Sequence, residues 1–454
     1  MASGISTFFG LETTLRGLLA QQSALDVTSH NIANANTQGY SRQVVNFTTP
    51  DALQVTDGAR LSTLASLGTG VDIQSYTRIR DQFLDLQYRA QNMVLGQQSA
   101  TSSALSQVQS ALAEPGDNGI SAQLAKFWSA WSDVANNPSS TASRQALVDQ
   151  ANTLVSSLHS LDSQLTNASN QASAEYTSLT ASPSGEIAQD ALELSNLNAA
   201  IKKAVAAGDH PNDLLDKRDQ LLDTLSGLGQ VSVTDLGNGS IQVNFGDAAN
   251  PIVDDTTVNW PQTLNNPGPP PTTSGGKLGA LNDLFKPGGT IDSLRSDLNG
   301  IASDLATSVN AIHNTGGPTG VDFFSVGAAG TEAATIGVNV TAATVVTSTS
   351  GAAGDNDIAN RIAALRGGST DSLYSTFVTR IGSMVQTANR QQATAQALVN
   401  SVDSSRQSTS GVSMDEEMTN MVRFQRAYQA SARAMTTMDQ MLDTLINRTG
   451  SVGL

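Results

Sequence analysis

Leu25–Tyr40, LDVTSHNIANANTQGY, is where a long apolar seam gives way to a dense polar turn. Before it, Phe8, Leu11, Leu15, Leu18, Gln22, Leu25, Ser29 and Ile32 fall at alternating steps of three and four, which sets them on one helical stripe with coiled-coil spacing. Asn31, Asn34, Asn36, Thr37 and Gly39 bond their own backbone or tolerate positive φ, so the helix is expected to stop in a fixed turn reaching Tyr40.

The other end of the chain supplies a partner. Met414, Met421, Tyr428, Met435 and Leu442 recur every seven residues, with Phe424, Ser431, Met438 and Leu445 three positions on. A strict seven-residue repeat predicts left-handed supercoiling with other helices, because an isolated straight helix drifts off such a seam. At about 1.5 Å per residue the C-terminal helix rises roughly 50 Å and the N-terminal one about 40 Å. Ser413 and Glu416 form an S-x-x-E capping box at the start of the C-terminal helix. Neither stripe can be buried by its own helix, so both are expected to order against neighbours.

Composition bounds what else the chain can be. With 454 residues it can hold two to four structural units. Hydrophobic residues make up 39% but aromatics only 4%, the balance of a long-helix protein rather than a tight sandwich. A formal charge of -16 argues against nucleic acid or an anionic membrane as partner, since both require a basic surface. The absence of cysteine excludes disulfides and thiol catalysis. No basic leader with an apolar run and no stretch approaching about 20 apolar residues is present, so neither a signal peptide nor a membrane span is expected.

Along the chain, Gln43–Phe47 and Gly70–Tyr76 alternate like strands, and a helix opens at Arg78–Leu84 and runs to about Ala113. Ile120–Val134 is a shorter amphipathic helix. A rod carrying Leu147, Leu154, Leu158, Leu165 and Tyr176 lies between Pro138 and Pro183. Ser184 is the expected cap of the next helix and Gly208 its stop; Asn212 is the expected cap of the one after. Val231 and Val233 are expected to pair with Ile241 and Val243 across Asn238-Gly239, followed by one strand at Ile252–Val258 and a loop over Pro261–Gly276. Ile291–Ile312 forms another seam. A helix over residues 369–407 aligns Phe377, Ile381, Met384, Ala388, Ala395, Leu398 and Val402 before Gly411.

Three stretches carry a resemblance. LDVTSHNIANANTQGYSRQ resembles the N-terminal signature of bacterial flagellar axial proteins, and its YSRQ ending is similar to the family of the first hook-associated protein. The stretch from Ser410, SGVSMDEEMTNMVRFQRAYQASARAMTTMDQMLDTLIN, is similar to that family's C-terminal signature. Leu197–Asp247 is similar to its central one, which rod and hook proteins generally lack.

The resemblance implies a mainly α fold. Residues 1–40 and 411–454 would form a terminal coiled-coil domain lining an export channel, and 41–324 with 356–410 a helical rod body with a hairpin near 230–260. Residues 325–355 would be a reduced β-rich outer insertion, because larger members carry whole β domains there. It further implies a structural subunit at the hook–filament junction, outside the cell and exported without a cleaved signal. Its partners would be other copies of itself, the hook protein, a second junction protein and an export chaperone at the C-terminal helix. The assembly residues would be Phe8, Leu11, Leu15, Leu18, Leu25, Ile32, Met414, Met421, Phe424, Tyr428, Met435, Met438, Leu442 and Leu445. Asn31, Asn34, Asn36, Gly39 and Tyr40 would form the turn between inner and outer domains.

Other chemistry finds little support. His30, His159, His210 and His313 stand in no ligand spacing, so no metal or other cofactor is expected. Asp209, Asp213, Asp216 and Asp219 read as a solvated face paired with Lys217 and Arg218 rather than a calcium site. Asp235-Leu-Gly-Asn-Gly lacks the later carboxylates of a calcium loop. No H-E-x-x-H, G-x-S-x-G or phosphate-cradling glycine loop occurs, so no enzyme is expected. The alternatives are a generic rod or hook subunit, or a glycan hydrolase or adhesin on a flagellar scaffold.

Overall fold

The computed structural model describes residues 8–55, 65–181, 183–246, 251–259, 275–315, 321–352 and 354–447. Most of the loop expected at Pro261–Gly276 lies outside them. The first helix, α1 (Phe9–Asn34), carries the predicted seam and ends within the asparagine-rich stretch. The chain then enters β1 (Gln43–Thr48), β2 (Leu53–Val55), β3 (Ala65–Leu67) and β4 (Asp72–Arg78). These nest as two antiparallel ribbons, β2 with β3 and β1 with β4, the latter shifting register after Asn46.

The body starts with α2 (Gln82–Leu112), whose first turn is capped by the Asp81 carboxylate accepting from the N–H groups of Phe83 and Leu84. Next come α3 (Ile120–Asn136), the 40-residue α4 (Thr141–Thr180) and α5 (Glu186–Ala206). The expected Ser184 cap is not used: Gly185 occupies the cap position and offers no side-chain bond. Asn212 likewise caps nothing. It opens α6 (Asn212–Leu228) after Pro211, and its amide donates to Gln43 and to the Tyr76 carbonyl instead.

A four-stranded antiparallel meander follows, β5 (Val231–Asp235), β6 (Ile241–Phe245), β7 (Pro251–Asp254) and β8 (Thr257–Val258). Val233 pairs with Val243 as expected, but Val231 pairs with Phe245 and Ile241 with Asp235. Asn238-Gly239 therefore sits in the longer loop Leu236–Ser240 rather than in a two-residue turn. The expected single strand at 252–258 is a hairpin, broken where Asp255 takes a φ of 55°.

Helices α7 (Gly276–Phe285) and α8 (Thr290–His313) return along α4. The short β9 (Phe324–Ser325), α9 (Glu332–Thr335), β10 (Gly337–Val338) and α10 (Asp357–Ala363) lead into the 42-residue α11 (Ser369–Ser410), and α12 (Met414–Asn447) closes the chain. Helix α11 runs antiparallel to α2, with Asn389 and Gln392 facing Ser102 and Ser99. Its buried stripe differs from expectation at two places: Val385 and Val399 are buried, while Met384 is half-buried and Leu398 faces outward.

One cluster dominates the body core. Phe127 and Trp131 of α3 meet the rings of Phe323 and Phe324, Trp128 lies against Phe127, and the leucine rows of α4 and α8 extend the cluster along the rod. Aromatic side chains bury large areas and lock one another's rings at tilted or edge-on angles. The stretch expected as a β-rich outer insertion joins this same cluster through Ile336, Val340 and Val345. Its ladders are only two residues long, so it is held by side chains instead. His159 bonds the Ile336 carbonyl at 2.8 Å, Asn299 accepts from Ala333, and the His313 ring spans the Val321 carbonyl and the Val346 N–H. A sequence too poor in alternation to build a sheet still carries enough inward apolar residues to cover a core.

One buried carboxylate in α5 opposes the fold. Oδ2 of Asp190 is buried without a hydrogen-bond partner, and burial together with nearby Glu186 and Glu193 pushes its pKa up to about 6. Its folded pKa lies above the unfolded value. Its contribution to stability is thus fully present below about pH 4 and is lost as pH rises through that folded value. Asp190→Asn is expected to raise the thermal midpoint at pH 7 and leave it little changed at pH 4; identical midpoints at pH 7 would contradict this account.

Candidate functional site at the joint between terminal helices and body

Helices α1 and α12 pair antiparallel within one chain. Gly10 faces Met438, Gly17 faces Ser431, and Asn31 bonds Glu417. The buried face of α1 is Ala20, Ala24, Thr28 and Asn31, not the leucine seam. Small side chains let the backbones approach: a Cβ on Gly10 would stand 2.9 Å from Met438 Cε. Gly10, Gly17, Ala24 and Asn31 are spaced seven apart, a signal that a search for large apolar residues passes over.

The expected assembly residues divide accordingly. On α12 the heptad residues Met421, Phe424, Tyr428, Met435 and Leu442 are half-buried, while Met414, Met438 and Leu445 are exposed. On the N-terminal side Leu11, Leu18, Leu25 and Ile32 are half-buried, while Phe8 and Leu15 are exposed. Leu19, Met418, Val422, Met441 and Ile446, outside the expected set, are exposed as well. The pair thus uses a small-residue seam inside the chain and leaves apolar side chains facing outward.

Asn31, expected to break the helix, is its most buried polar residue at 1% exposure. Its amide nitrogen donates to the Gln43 carbonyl at 2.9 Å and to Glu417 at 3.1 Å. Its oxygen accepts from the Gln43 N–H at 3.0 Å and from the Tyr40 hydroxyl at 2.8 Å. The turn follows it: Asn34 donates back to the His30 carbonyl, Asn36 is exposed, and Gly39 takes a φ of 80° that favours glycine. Arg42 then grips the start of α12, with Nε 2.7 Å from Glu417 and a terminal nitrogen 2.8 Å from Glu416. Glu416 is therefore drawn away from the reciprocal half of the capping box, of which only a 3.5 Å bond from its N–H to Ser413 Oγ remains.

The body answers with a row of carboxylates on α6. Of Asp209, Asp213, Asp216 and Asp219, expected as a solvated face with Lys217 and Arg218, Asp216 and Asp219 are instead largely buried in ion pairs, and Asp223, outside that expectation, joins them. Asp216 accepts from the N–H and hydroxyl of Ser41 at 3.0 and 2.8 Å and from Arg78 at 2.7 Å. Asp219 meets Arg78, Arg80 and Arg89 at 3.0, 3.2 and 3.2 Å. Asp223 pairs with Arg89 and with Arg406 of α11, each at 2.8 Å, and Arg406 lies over the Tyr88 ring while also reaching Asp85. Arg218 points elsewhere, to Asn198 and the Gly239 carbonyl. On α6 only Asp213 stays largely exposed, accepting from the Gln43 amide. Asp213, Asp216 and Asp219 were visible in sequence as aspartates spaced along one helix, Asp223 was not singled out, and the partners come from elements far away in the chain.

Electrostatics keeps these groups in their bonded forms. Burial alone would push the Asp219 carboxyl up, but Arg80, Arg78 and Arg89 hold it below the ordinary range. Burial works against the Arg80 charge, and the hydrogen bonds that Arg80 donates to Asp85, with the nearby aspartates, more than restore it. Burial, then Asp213, Asp216 and Glu417, push the Tyr40 hydroxyl far up, so it remains a donor to Asn31. Among the described residues no group of three His, Asp or Glu side chains could hold a metal ion. The arrangement fastens: it links α1, α12, β1, β4, α2, α6 and α11 at one place.

Comparison with known proteins gives family matches for both terminal helices and for much of the body. Residues 11–40 match the model of a flagella basal body rod protein, and residues 403–448 the flagellar basal body rod FlgEFG protein C-terminal model. Residues 105–324 match the flagellar hook-associated protein FlgK helical domain. Flagellar hook-associated protein 1 of Bacillus subtilis (strain 168) is 32% identical over 511 aligned residues, covering 99% of both chains. The protein of that name from Escherichia coli K12 is 24% identical over 96% of this chain and 99% of its own. The one from Salmonella typhimurium is 28% identical over 69% of this chain and 58% of its own. The solved structure of the flagellar hook junction protein FlgK from Burkholderia pseudomallei superposes with a TM-score of 0.46 at 24% identity, over 54% of this chain and 47% of that one.

The depressed Asp219 pKa gives the joint a pH signature. Stability from this carboxylate is present above its unfolded pKa and is lost as pH falls through the lower folded value. Asp219→Asn leaves three arginines short of a counter-charge and is expected to cost about 3 kcal/mol at neutral pH. Urea unfolding at pH 7 and pH 3 measures it, with the difference from the parent protein shrinking in acid; a gap of the same size at pH 3 would rule out this assignment.

Proposed function

This chain belongs to the family of flagellar hook-associated protein 1, and we propose that it joins hook to filament by presenting its paired terminal helices, at an angle fixed by the joint, to neighbouring axial subunits. It is a structural component of the flagellum that assembles with other axial proteins. The observation that carries the mechanism is the division of labour on α1 and α12. A small-residue seam closes the pair within the chain, and large apolar side chains remain on the outside. Apolar surface on this scale is stabilised by removal from water, at about 25 cal/mol per Å². The pair already forms within one chain, so a neighbour adds cover to the outer residues rather than order to the helices.

In this reading Phe8, Leu15, Met414 and Leu445 meet neighbouring subunits, whereas Met421, Phe424, Tyr428, Met435 and Met438, the last against Gly10, hold the intramolecular seam. The neighbours are other copies of this chain, the hook protein on one side and a second junction protein on the other. An export chaperone would cover the α12 surface before assembly. The working location is the hook–filament junction outside the cell, reached without a cleaved signal. No helix among the described residues is long and apolar enough to cross a membrane. The role proposed is purely mechanical, without catalysis. The match of residues 105–324 to the helical domain of hook-associated proteins favours this over a generic rod or hook subunit.

Leu15→Asp combined with Met418→Asp and Met441→Asp changes only exposed positions. The variant is expected to keep its helicity and thermal midpoint while failing to complement a deletion strain, which would build hooks and shed filament subunits into the medium. Normal filaments on cells carrying the triple variant would refute the outward-facing interface.

A further inference from the structure

Asn-Gly occurs three times in this chain, at 118–119, 238–239 and 299–300, and the structure treats the three differently. An asparagine followed by glycine can lose its amide when the glycine backbone nitrogen attacks the side-chain carbonyl carbon. That reaction needs a free glycine N–H, an accessible side chain and stabilisation of the oxygen on which negative charge develops. Gly119 lacks the first, because its N–H donates to the Gly116 carbonyl at 3.1 Å. Asn299 lies inside α8, where its neighbour's N–H belongs to the helical ladder. Its amide is also spent on both sides, donating to the Gly330 carbonyl at 2.8 Å and accepting from the Ala333 N–H at 2.9 Å.

Asn238 meets all three conditions. Its side chain is exposed in the loop Leu236–Ser240, and among the described residues the Gly239 N–H has no acceptor. Its amide oxygen accepts two bonds from the fully buried Ser240, from the N–H at 3.0 Å and from the hydroxyl at 2.6 Å. Two donors converging on one carbonyl oxygen are the arrangement that stabilises a tetrahedral oxyanion. We propose that Asn238 is a self-modifying position, which the chain's own backbone converts to aspartate and isoaspartate.

The Gly239 nitrogen loses its proton to solvent base and bonds to the Asn238 side-chain carbon. The carbon–nitrogen bond to the amide then breaks, and ammonia leaves. Water opens the resulting five-membered imide at either carbonyl, giving aspartate or the isomer with one extra main-chain carbon. Both products place a new carboxylate close to Asp235 in a loop that already folds back on that residue. The isomer also displaces the Gly239 carbonyl, which Arg218 holds at 2.8 Å, and so loosens the hairpin from α6.

The test is incubation of the full-length protein at pH 8 and 37 °C, followed by peptide mapping for the gain of one mass unit and for the later-eluting isomer. The expected result is conversion at Asn238 well ahead of Asn118 and Asn299, slowed several-fold by Ser240→Ala and restored by Ser240→Thr. Faster conversion at Asn118 or Asn299 would overturn the proposal. If Ser240→Ala folds and converts as fast as the parent, the role given to Ser240 is wrong. If it does not fold, the ranking of the three sites in the parent protein decides the proposal alone.

Discussion

A row of three carboxylates on one helix cannot exist largely buried without counter-charges, and where those charges come from determines how this molecule is put together. Helix α6 places Asp216, Asp219 and Asp223 along one flank, and the guanidinium groups that answer them stand on β4, on the short link after it, on α2 and on α11. Each of these elements is thereby fixed to α6 in position and direction, because a guanidinium fork accepts a carboxylate in few geometries. The neutral donors of Ser41 and the amide of Asn212 extend the same lattice to β1. Removing one member strands the rest in a low-dielectric setting, which makes the joint specific rather than merely adhesive.

The hydrophobic core does different work. The aromatic knot around Trp128 and Trp131 and the leucine rows of α4 and α8 hold the body together, but apolar contacts carry little directional information. The terminal pair lies away from that knot, is joined through polar contacts, and shows large apolar side chains to its surroundings. Core and joint thus divide stability from orientation.

Much of the architecture was legible in sequence because it rests on local periodicity. The helices from 82 to 112, 141 to 180 and 369 to 410 follow from apolar spacing and from proline and glycine punctuation. Two kinds of feature were not. The packing face of α1 is marked by glycine and alanine, which a hydrophobic pattern cannot separate from solvent-facing positions. The joint depends on charges brought together from positions 78, 80, 89 and 406, whose proximity is a property of the folded chain alone. Asn31 shows how far this goes: by local chemistry it is a helix breaker, and partners at positions 40, 43 and 417 hold it inside the helix. The stretch around Ile336 and Val345 failed in the opposite sense, since its β-branched residues suit strands yet serve as plugs for a core built elsewhere.

The chain passes between the terminal pair and the body twice, at residues 35–42 and again at 411–413, and the Arg42 N–H to Ser410 carbonyl bond of 2.9 Å staples these two passages side by side. Tension applied along the pair is therefore shared by two covalent strands in parallel, and twisting is resisted by the spacing between them. A single tether would swivel freely. Two stapled ones behave as a ribbon that resists torque, so a twist imposed on the body is carried into the terminal pair.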